Sequence, residues 1–321
     1  MNPNTLEHAF FHHPVFRYHD FHLETHAMRE IRMRIQQWVW FGHPGGLVLG
    51  SPRIGKTHAM RCVMREICQR NGQAVPGYYI SIPRRDTQNI KSIWRLLCLE
   101  SGLHIGRDNT DVLSDRFTQY LFELCHSQQS EQLLFIVDEM QRLAARQFEA
   151  FAELFDKLNV LGVRASIIFV GNARETNTIL QHLSADHFDH IQGRFLKQRS
   201  MYYGLRSEKE VRYCLEQYDT LHYPEDGPSY TRYFLPPETP DTWRLASLSR
   251  SIWRGFRRVQ TKYGVNSWGM QYFVCAVNAL LTDFLSQPGA VECYEDAMFD
   301  ACIDVSGLIT SSVEFGSHEA Y

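Results

Sequence analysis

The sequence predicts an α/β fold in which a parallel sheet is flanked by helices and followed by a helical region. Three observations carry this. Leu133-Leu134-Phe135-Ile136-Val137 and Ala165-Ser166-Ile167-Ile168-Phe169-Val170 are nearly unbroken apolar runs of strand length, as in strands buried on both faces. A glycine-bearing loop at 50–55 stands between a short apolar strand and a helix-forming stretch. After about Leu205 the strand–helix alternation gives way to helical patterning alone.

In chain order, an aromatic and His-rich lead-in precedes a helix over 24–40 and a strand at Leu47-Val48-Leu49. The loop follows, then a helix from Lys56 to about Arg70, stopped by Asn71-Gly72. Gly77-Tyr78-Tyr79-Ile80-Ser81-Ile82 is the second strand. Helices over 89–100 and 112–126 lead to the strand at 133–137, and a helix over 144–158 leads to the strand at 165–170. A last core strand lies around 200–203. Beyond it, helices are expected over 208–218, 242–263, 267–285 and 292–308. The Pro-, Asp- and Tyr-rich stretch 222–240 reads as a long surface loop, and the tail from Ser311 as frayed. This divides the chain into an N-terminal segment (1–45), an α/β core built around the glycine-bearing loop (46–205) and a helical lid with tail (206–321).

Composition narrows the function classes. The chain has 321 residues, 44% hydrophobic and 21% charged, as in an ordinary globular protein. It lacks the roughly 20 apolar residues in a row that a membrane helix needs. It also lacks a basic start followed by an apolar run, so a cytoplasmic protein without membrane contact is expected. The 8 cysteines include no CxxC pair, and Cys62, Cys68, Cys98, Cys125 and Cys275 are expected as buried free thiols. A net charge of -3 requires any nucleic-acid contact to come from local basic patches. His22 and His26 are four apart, but no further ligand has metal spacing. His13-Pro14-Val15-Phe16 is expected to pack near a nucleotide base or to dock a partner.

Gly50-Ser51-Pro52-Arg53-Ile54-Gly55-Lys56-Thr57 matches GxxxxGK[ST] in strand–loop–helix context. Glycines let backbone N–H groups turn toward phosphate oxygens, and the helix start adds partial positive charge. Lys56 suits the outer phosphates of ATP and Thr57 suits Mg²⁺. Asp138 and Glu139 close a buried strand, where Asp138 would hold the metal's shell and Glu139 would activate water for hydrolysis. Asn172, after the next buried strand, would position that water, although Gly-Asn is also turn chemistry. Arg194, before the last core strand, would reach a neighbour's outer phosphate as an arginine finger. A surface ion pair is the alternative for Arg194, and Arg199 is the rival residue.

In this order the motifs resemble those of AAA+ ATPases, over roughly 14–263. The resemblance implies an AAA+ P-loop core and makes Asn172 the sensor residue and Arg194 the finger. A second sensor arginine falls on Arg254, with Arg250 as its rival. Within that group the chain looks like the TnsC/TniB transposition regulators, most of all TnsC of type I-F CRISPR-associated transposons. The supporting text is the loop at 50–57, Tyr79-Ile80-Ser81-Ile82-Pro83-Arg84 and Asp138-Glu139-Met140-Gln141-Arg142-Leu143. Many relatives carry His after the acidic pair where this chain has Gln141-Arg142, so a role for that His does not carry over. The resemblance implies ATP-dependent assembly on double-stranded DNA as a ring or filament, hexameric or heptameric. It also implies partners: the transposase (TnsB/TnsA), TniQ and the CRISPR effector complex.

The loop after the second strand decides between DNA and a threaded protein. It reads Pro83-Arg84-Arg85-Asp86-Thr87-Gln88-Asn89-Ile90-Lys91, without the aromatic–Gly signature of threading machines. Arg84, Arg85 and Lys91 suit phosphate contacts, Thr87 and Gln88 could add neutral hydrogen bonds, and Arg142 and Arg146 could face the same pore. A solvated basic loop is the bland alternative. Competing functions are a signalling or defence NTPase switch, a protein remodeller, and a replication initiator or helicase loader.

Overall fold

A computed structural model of the chain describes residues 12–17, 21–85, 88–185, 188–292 and 294–310. The chain folds into two compact units. One is 27–202. The other combines the described residues before 27 with those from 203 onward.

The first unit is an α/β layer structure. Helix α1 (His26–Trp40) precedes strand β1 (Gly45–Gly50), then α2 (Lys56–Glu66), β2 (Gly77–Ser81), α3 (Ile90–Glu100), α4 (Thr110–Ser127) and β3 (Gln132–Asp138). Helix α5 (Phe148–Val160), β4 (Arg164–Asn172), α6 (Ala173–Ala185) and β5 (Arg199–Met201) complete it. The strands are all parallel, in the order β2-β3-β4-β1-β5.

Alternate residues of the central strands bury on opposite faces. Leu47, Leu133, Phe135, Val137, Ile167 and Phe169 pack with Trp94, Phe117 and Phe151 of α3, α4 and α5. Val48, Leu134, Ile136, Ile168 and Val170 pack with Ile31, Ile35 and Trp38 of α1 and Met60 and Val63 of α2. Two covered faces explain why β3 and β4 read as continuous apolar runs rather than alternating ones.

Helix α2 stops at Glu66, short of the expected Arg70. Residues beyond it pair back through a Cys68–Ala74 bridge around Asn71-Gly72, with Gly72 at φ 86. The Asn-Gly pair is thus the tip of a small hairpin rather than a helix stop. The stretch between Asn172 and Ser200, to which the sequence assigns no element, forms α6. It also holds a π-type turn over Gln192–Leu196.

The second unit contains α7 (Glu208–Thr220), the short α8 (Tyr230–Phe234), α9 (Ser249–Tyr263), α10 (Met270–Ala279) and α11 (Asp296–Val305). Phe256 of α9 stacks on Trp268 at 4.8 Å and 5° between planes. Tyr218 donates to Asn278 Oδ1 at 2.9 Å, and Asn278 Nδ2 donates to the Val15 carbonyl at 2.9 Å.

The stretch 222–240 is not simply a surface loop, because Tyr230, Thr231 and Phe234 of α8 are buried. They meet the N-terminal segment. His13 is fully buried, with the Tyr223, Tyr230, Tyr233 and Phe234 rings at 4.5–4.9 Å. The segment expected to meet a base or a partner is built into this unit's own core. The expected helix over 242–263 opens only at Leu245, where the Asp219 carboxylate accepts the Leu245 and Ala246 N–H groups at 2.9 and 3.0 Å. Of the cysteines expected to be buried, Cys98 and Cys125 are, while Cys62, Cys68 and Cys275 are half-buried; all five are free thiols.

Candidate nucleotide site

The site lies at the carboxyl ends of β1, β3 and β4, where parallel α/β sheets place their ligands. Strand β1 ends at Gly50 and α2 begins at Lys56. Gly50 must lack a Cβ, since one would lie 2.4 Å from the Tyr202 carbonyl oxygen and 2.5 Å from Ile54 Cδ1. Gly55 caps α2 in the left-handed region, φ 96, with no side chain bonded to the helix start. The first N–H groups of α2 therefore face the loop's hollow, the arrangement that binds anions. Lys56 Nζ lies over that hollow and donates to the Gly50 and Ser51 carbonyls at 2.8 and 2.6 Å. Burial pushes its ammonium below the ordinary lysine range, and Asp138, Glu139 and Glu175 pull it back up. Ser51, Pro52 and Arg53 are exposed, Ile54 is buried beneath the loop, and Arg53 takes φ 58.

Asp138 is buried and tied on both oxygens. Its Oδ2 accepts from Thr57 Oγ1 at 2.7 Å and from the Tyr79 hydroxyl at 2.7 Å. Its Oδ1 accepts the Glu139 N–H at 2.8 Å. The contact with Thr57 joins the motif after β1 to the acidic pair after β3, 81 residues later. Tyr79 was missed by sequence reasoning. The only signal lies in register: Ser81 pairs with Asp138 across β2 and β3, so Tyr79, two residues back, lies on the same face. Burial, and then the Asp138 charge, push the Tyr79 phenol well above its usual range, so it stays a donor.

Glu139 sits at φ 59 and ψ 38, a left-handed conformation costing a non-glycine residue about 1–2 kcal/mol. The following 3₁₀ turn, Met140–Arg142, holds it there. Gln141 Nε2 donates to Glu139 Oε2 at 2.8 Å, and Arg142 Nη2 lies 2.9 Å from the same oxygen. Backbone strain of this kind clusters at active sites, ligand clamps and switch regions. Asn172 ends β4 in register with Gly50. Its Oδ1 accepts the Arg174 N–H at 3.1 Å and its Nδ2 donates to Glu175 Oε1 at 2.7 Å. The side chain thus fastens the start of α6, which is the turn chemistry that Gly-Asn signalled.

The other candidate residues are dispersed. Arg194 lies in the π-type turn, paired with Asp156 at 2.7 Å and set over the Phe155 ring at 5.7 Å. Arg199 is exposed at the start of β5 and donates to the Leu196 carbonyl at 3.0 Å. Arg84 and Arg85 are exposed after β2, and Lys91 is exposed in the first turn of α3. Thr87, in the same loop, lies outside the described residues, and Gln88 is exposed. Arg146 is exposed, whereas Arg142 is half-buried and commits Nη1 to the Ile82 carbonyl at 2.8 Å as well as Nη2 to Glu139. In the helical unit Arg254 is exposed, 3.8 Å from Asp296, and Arg250 is exposed one turn earlier.

Residues 41–180, less than half of the chain, match the family described as the AAA domain. No curated protein matches the sequence. Among solved structures, Cdc6p from Pyrobaculum aerophilum is similar at 14% identity, over 91% of this chain and 84% of that one, with a TM-score of 0.41. A Walker-type ATPase of Pyrococcus abyssi is similar at 14% identity over 92% and 75%, TM-score 0.46. The ORC2 protein of Aeropyrum pernix is similar at 17% over 87% and 66%, TM-score 0.41. No helix among the described residues is long and apolar enough to cross a membrane. With its five-stranded parallel sheet flanked by helices, its helical C-terminal region and an AAA-domain match that spans both halves of the strand-end site, the chain has the fold of an AAA+ P-loop ATPase.

Proposed function

We propose that this chain hydrolyses ATP and, in the ATP-bound state, assembles on duplex DNA as a transposition regulator of the TnsC type. The observation that carries the ATPase reading is the Thr57–Asp138 hydrogen bond, with Lys56 over the same loop and Glu139 beside it. The donor set fits a magnesium nucleotide. Gly50–Gly55 and the uncapped start of α2 provide N–H groups for phosphate oxygens, and Lys56 provides a cation. Thr57 and Asp138 provide the oxygens that Mg²⁺ prefers. When bound, Mg²⁺ neutralises charge on the phosphates undergoing transfer.

Glu139 takes the proton of the attacking water. Among the described residues its side-chain donors, Gln141 and Arg142, engage Oε2, so Oε1 is the oxygen for that proton. Asn172, which gives one Nδ2 hydrogen to Glu175, offers the other to that water from the end of β4. Arg194 exchanges its Asp156 partner for a neighbouring subunit's outer phosphate, which makes assembly and hydrolysis depend on each other. Arg254 of the helical unit is the second sensor in this reading.

Duplex DNA is met by Arg84, Arg85, Lys91 and Arg146, all exposed. One subunit offers only a few phosphate contacts, too weak alone at physiological salt, and a ring or filament repeats them around the duplex. This reconciles a net charge of -3 with a polyanionic partner. TniQ with its CRISPR effector on one side, and the transposase on the other, are the partners this reading entails.

The test is fluorescence anisotropy with labelled duplex across a salt series, with and without ATP. Tight binding only with ATP is expected, and Arg84→Ala with Arg85→Ala should weaken it and flatten its salt dependence while leaving nucleotide affinity intact. No ATP-dependent duplex binding at any salt would remove the transposition reading and favour an NTPase switch.

A further inference from the structure

Strands β3 and β4 end side by side at the site, and one side chain spans them. Gln141 Nε2 donates to Glu139 Oε2 at 2.8 Å, and Gln141 Oε1 accepts the Asn172 backbone N–H at 3.1 Å. The two partners dictate the amide's orientation. A carboxylate only accepts and a backbone N–H only donates, so a single placement of oxygen and nitrogen satisfies both.

The path of this bridge is reserved by Gly171. A Cβ there would lie 3.0 Å from Gln141 Oε1, 2.8 Å from Met140 Cγ and 2.6 Å from Thr176 Oγ1. The side chain of Asn172 is directed instead to Arg174 and Glu175 at the start of α6. The half-buried Gln141 amide therefore joins the acidic pair directly to the end of β4.

We infer that Gln141 is a positioning residue. It sets the orientation of the Glu139 carboxylate and registers it against β4, so that the base and the water-holding strand move as one body. The inference rests on the ATPase reading above only for its catalytic consequence; the bridge itself is a property of the fold. Arg142 reaches the same Glu139 oxygen but anchors to Ile82 of the β2 end, so it does not replace the link to β4.

Two substitutions separate the ends of the bridge. Gln141→Glu keeps an acceptor for Asn172 and replaces the donor to Glu139 with a like charge. Gln141→Met fills the space and keeps neither bond. The experiment measures kcat and ATP affinity, together with hydrogen exchange at the Asn172 amide by NMR in the protein without nucleotide.

Both variants should lose about tenfold or more in kcat, as loss of a charge-assisted hydrogen bond implies, with ATP affinity within about twofold of wild type. Asn172 exchange should accelerate in Gln141→Met and stay slow in Gln141→Glu. A purely structural role would not separate the two variants at Asn172 while leaving ATP affinity untouched. Turnover within about twofold of wild type in both variants, or unchanged Asn172 exchange in Gln141→Met, overturns the inference. A wild-type protein that hydrolyses no ATP would overturn the ATPase reading instead, and the exchange arm would still decide whether Gln141 holds β4.

Discussion

A carboxylate cluster in the α/β unit and a histidine cage in the helical unit place buried polar groups in two different ways. At the strand ends of the α/β unit Thr57 and Tyr79 bond to Asp138, and Gln141 and Arg142 bond to Glu139. In the helical unit His13 is fully buried among four aromatic rings, and its Nε2 finds no hydrogen-bond partner among the described residues. Its ion pairs, such as Arg258 with Asp296 and Asp300, lie at the surface. Carboxylates held by donors within a few ångströms suit chemistry, whereas a neutral imidazole in an aromatic cage suits fixing an N-terminal segment in place.

The largest effect is expected from removing the helical unit's packing. Phe256 is fully buried against Trp268. Phe256→Ala should destabilise that unit by about 3–5 kcal/mol. Urea unfolding followed by tryptophan fluorescence should show it, with Trp243, Trp253 and Trp268 reporting on this unit and Trp38, Trp40 and Trp94 on the other. A loss below about 1 kcal/mol would mean that the aromatic core does not hold the unit.

A smaller effect sharpens the comparison through pH. Burial lowers the His13 imidazole from 6.5 to about 4. Between those values the unfolded chain binds a proton at His13 and the folded chain does not, so stability falls as pH drops through that window. The loss by pH 5 is about 2 kcal/mol. His13→Phe should reduce the fall in stability between pH 7 and pH 5 by that amount, read from denaturation at the two pH values. An unchanged fall would show that the cage does not exclude the proton.

Much of the α/β unit was legible in the sequence because its signals are local. Strands β3 and β4 are apolar runs since helices cover both faces, and the loop at 50–57 carries its own glycine and lysine chemistry. What was not legible depends on register and on distant partners. Tyr79 reaches Asp138 only through the pairing of β2 with β3, and Gln141 gains its two partners only when β3 and β4 end together. Helix α6 was hidden by its composition, since Ile179 and Leu183 are its main buried apolar residues among many polar ones. The cage around His13 joins residues more than 200 positions apart, so no window of sequence contains it. Residues of a local loop pattern were thus picked out by motif, whereas Tyr79 and Gln141, whose contacts depend on register, were not.

In the proposed function the strand-end carboxylates of the α/β unit carry out ATP hydrolysis, with Glu139 taking the proton. The direct measurement is ATP turnover together with equilibrium nucleotide binding for wild type, Glu139→Gln and Lys56→Ala. Glu139→Gln should lose about 10²–10⁴ in kcat, the usual contribution of a general base, and keep wild-type ATP affinity. Lys56→Ala should lose the affinity itself. A Glu139→Gln protein that turns over ATP at the wild-type rate would contradict the claim and remove Glu139 from the reaction.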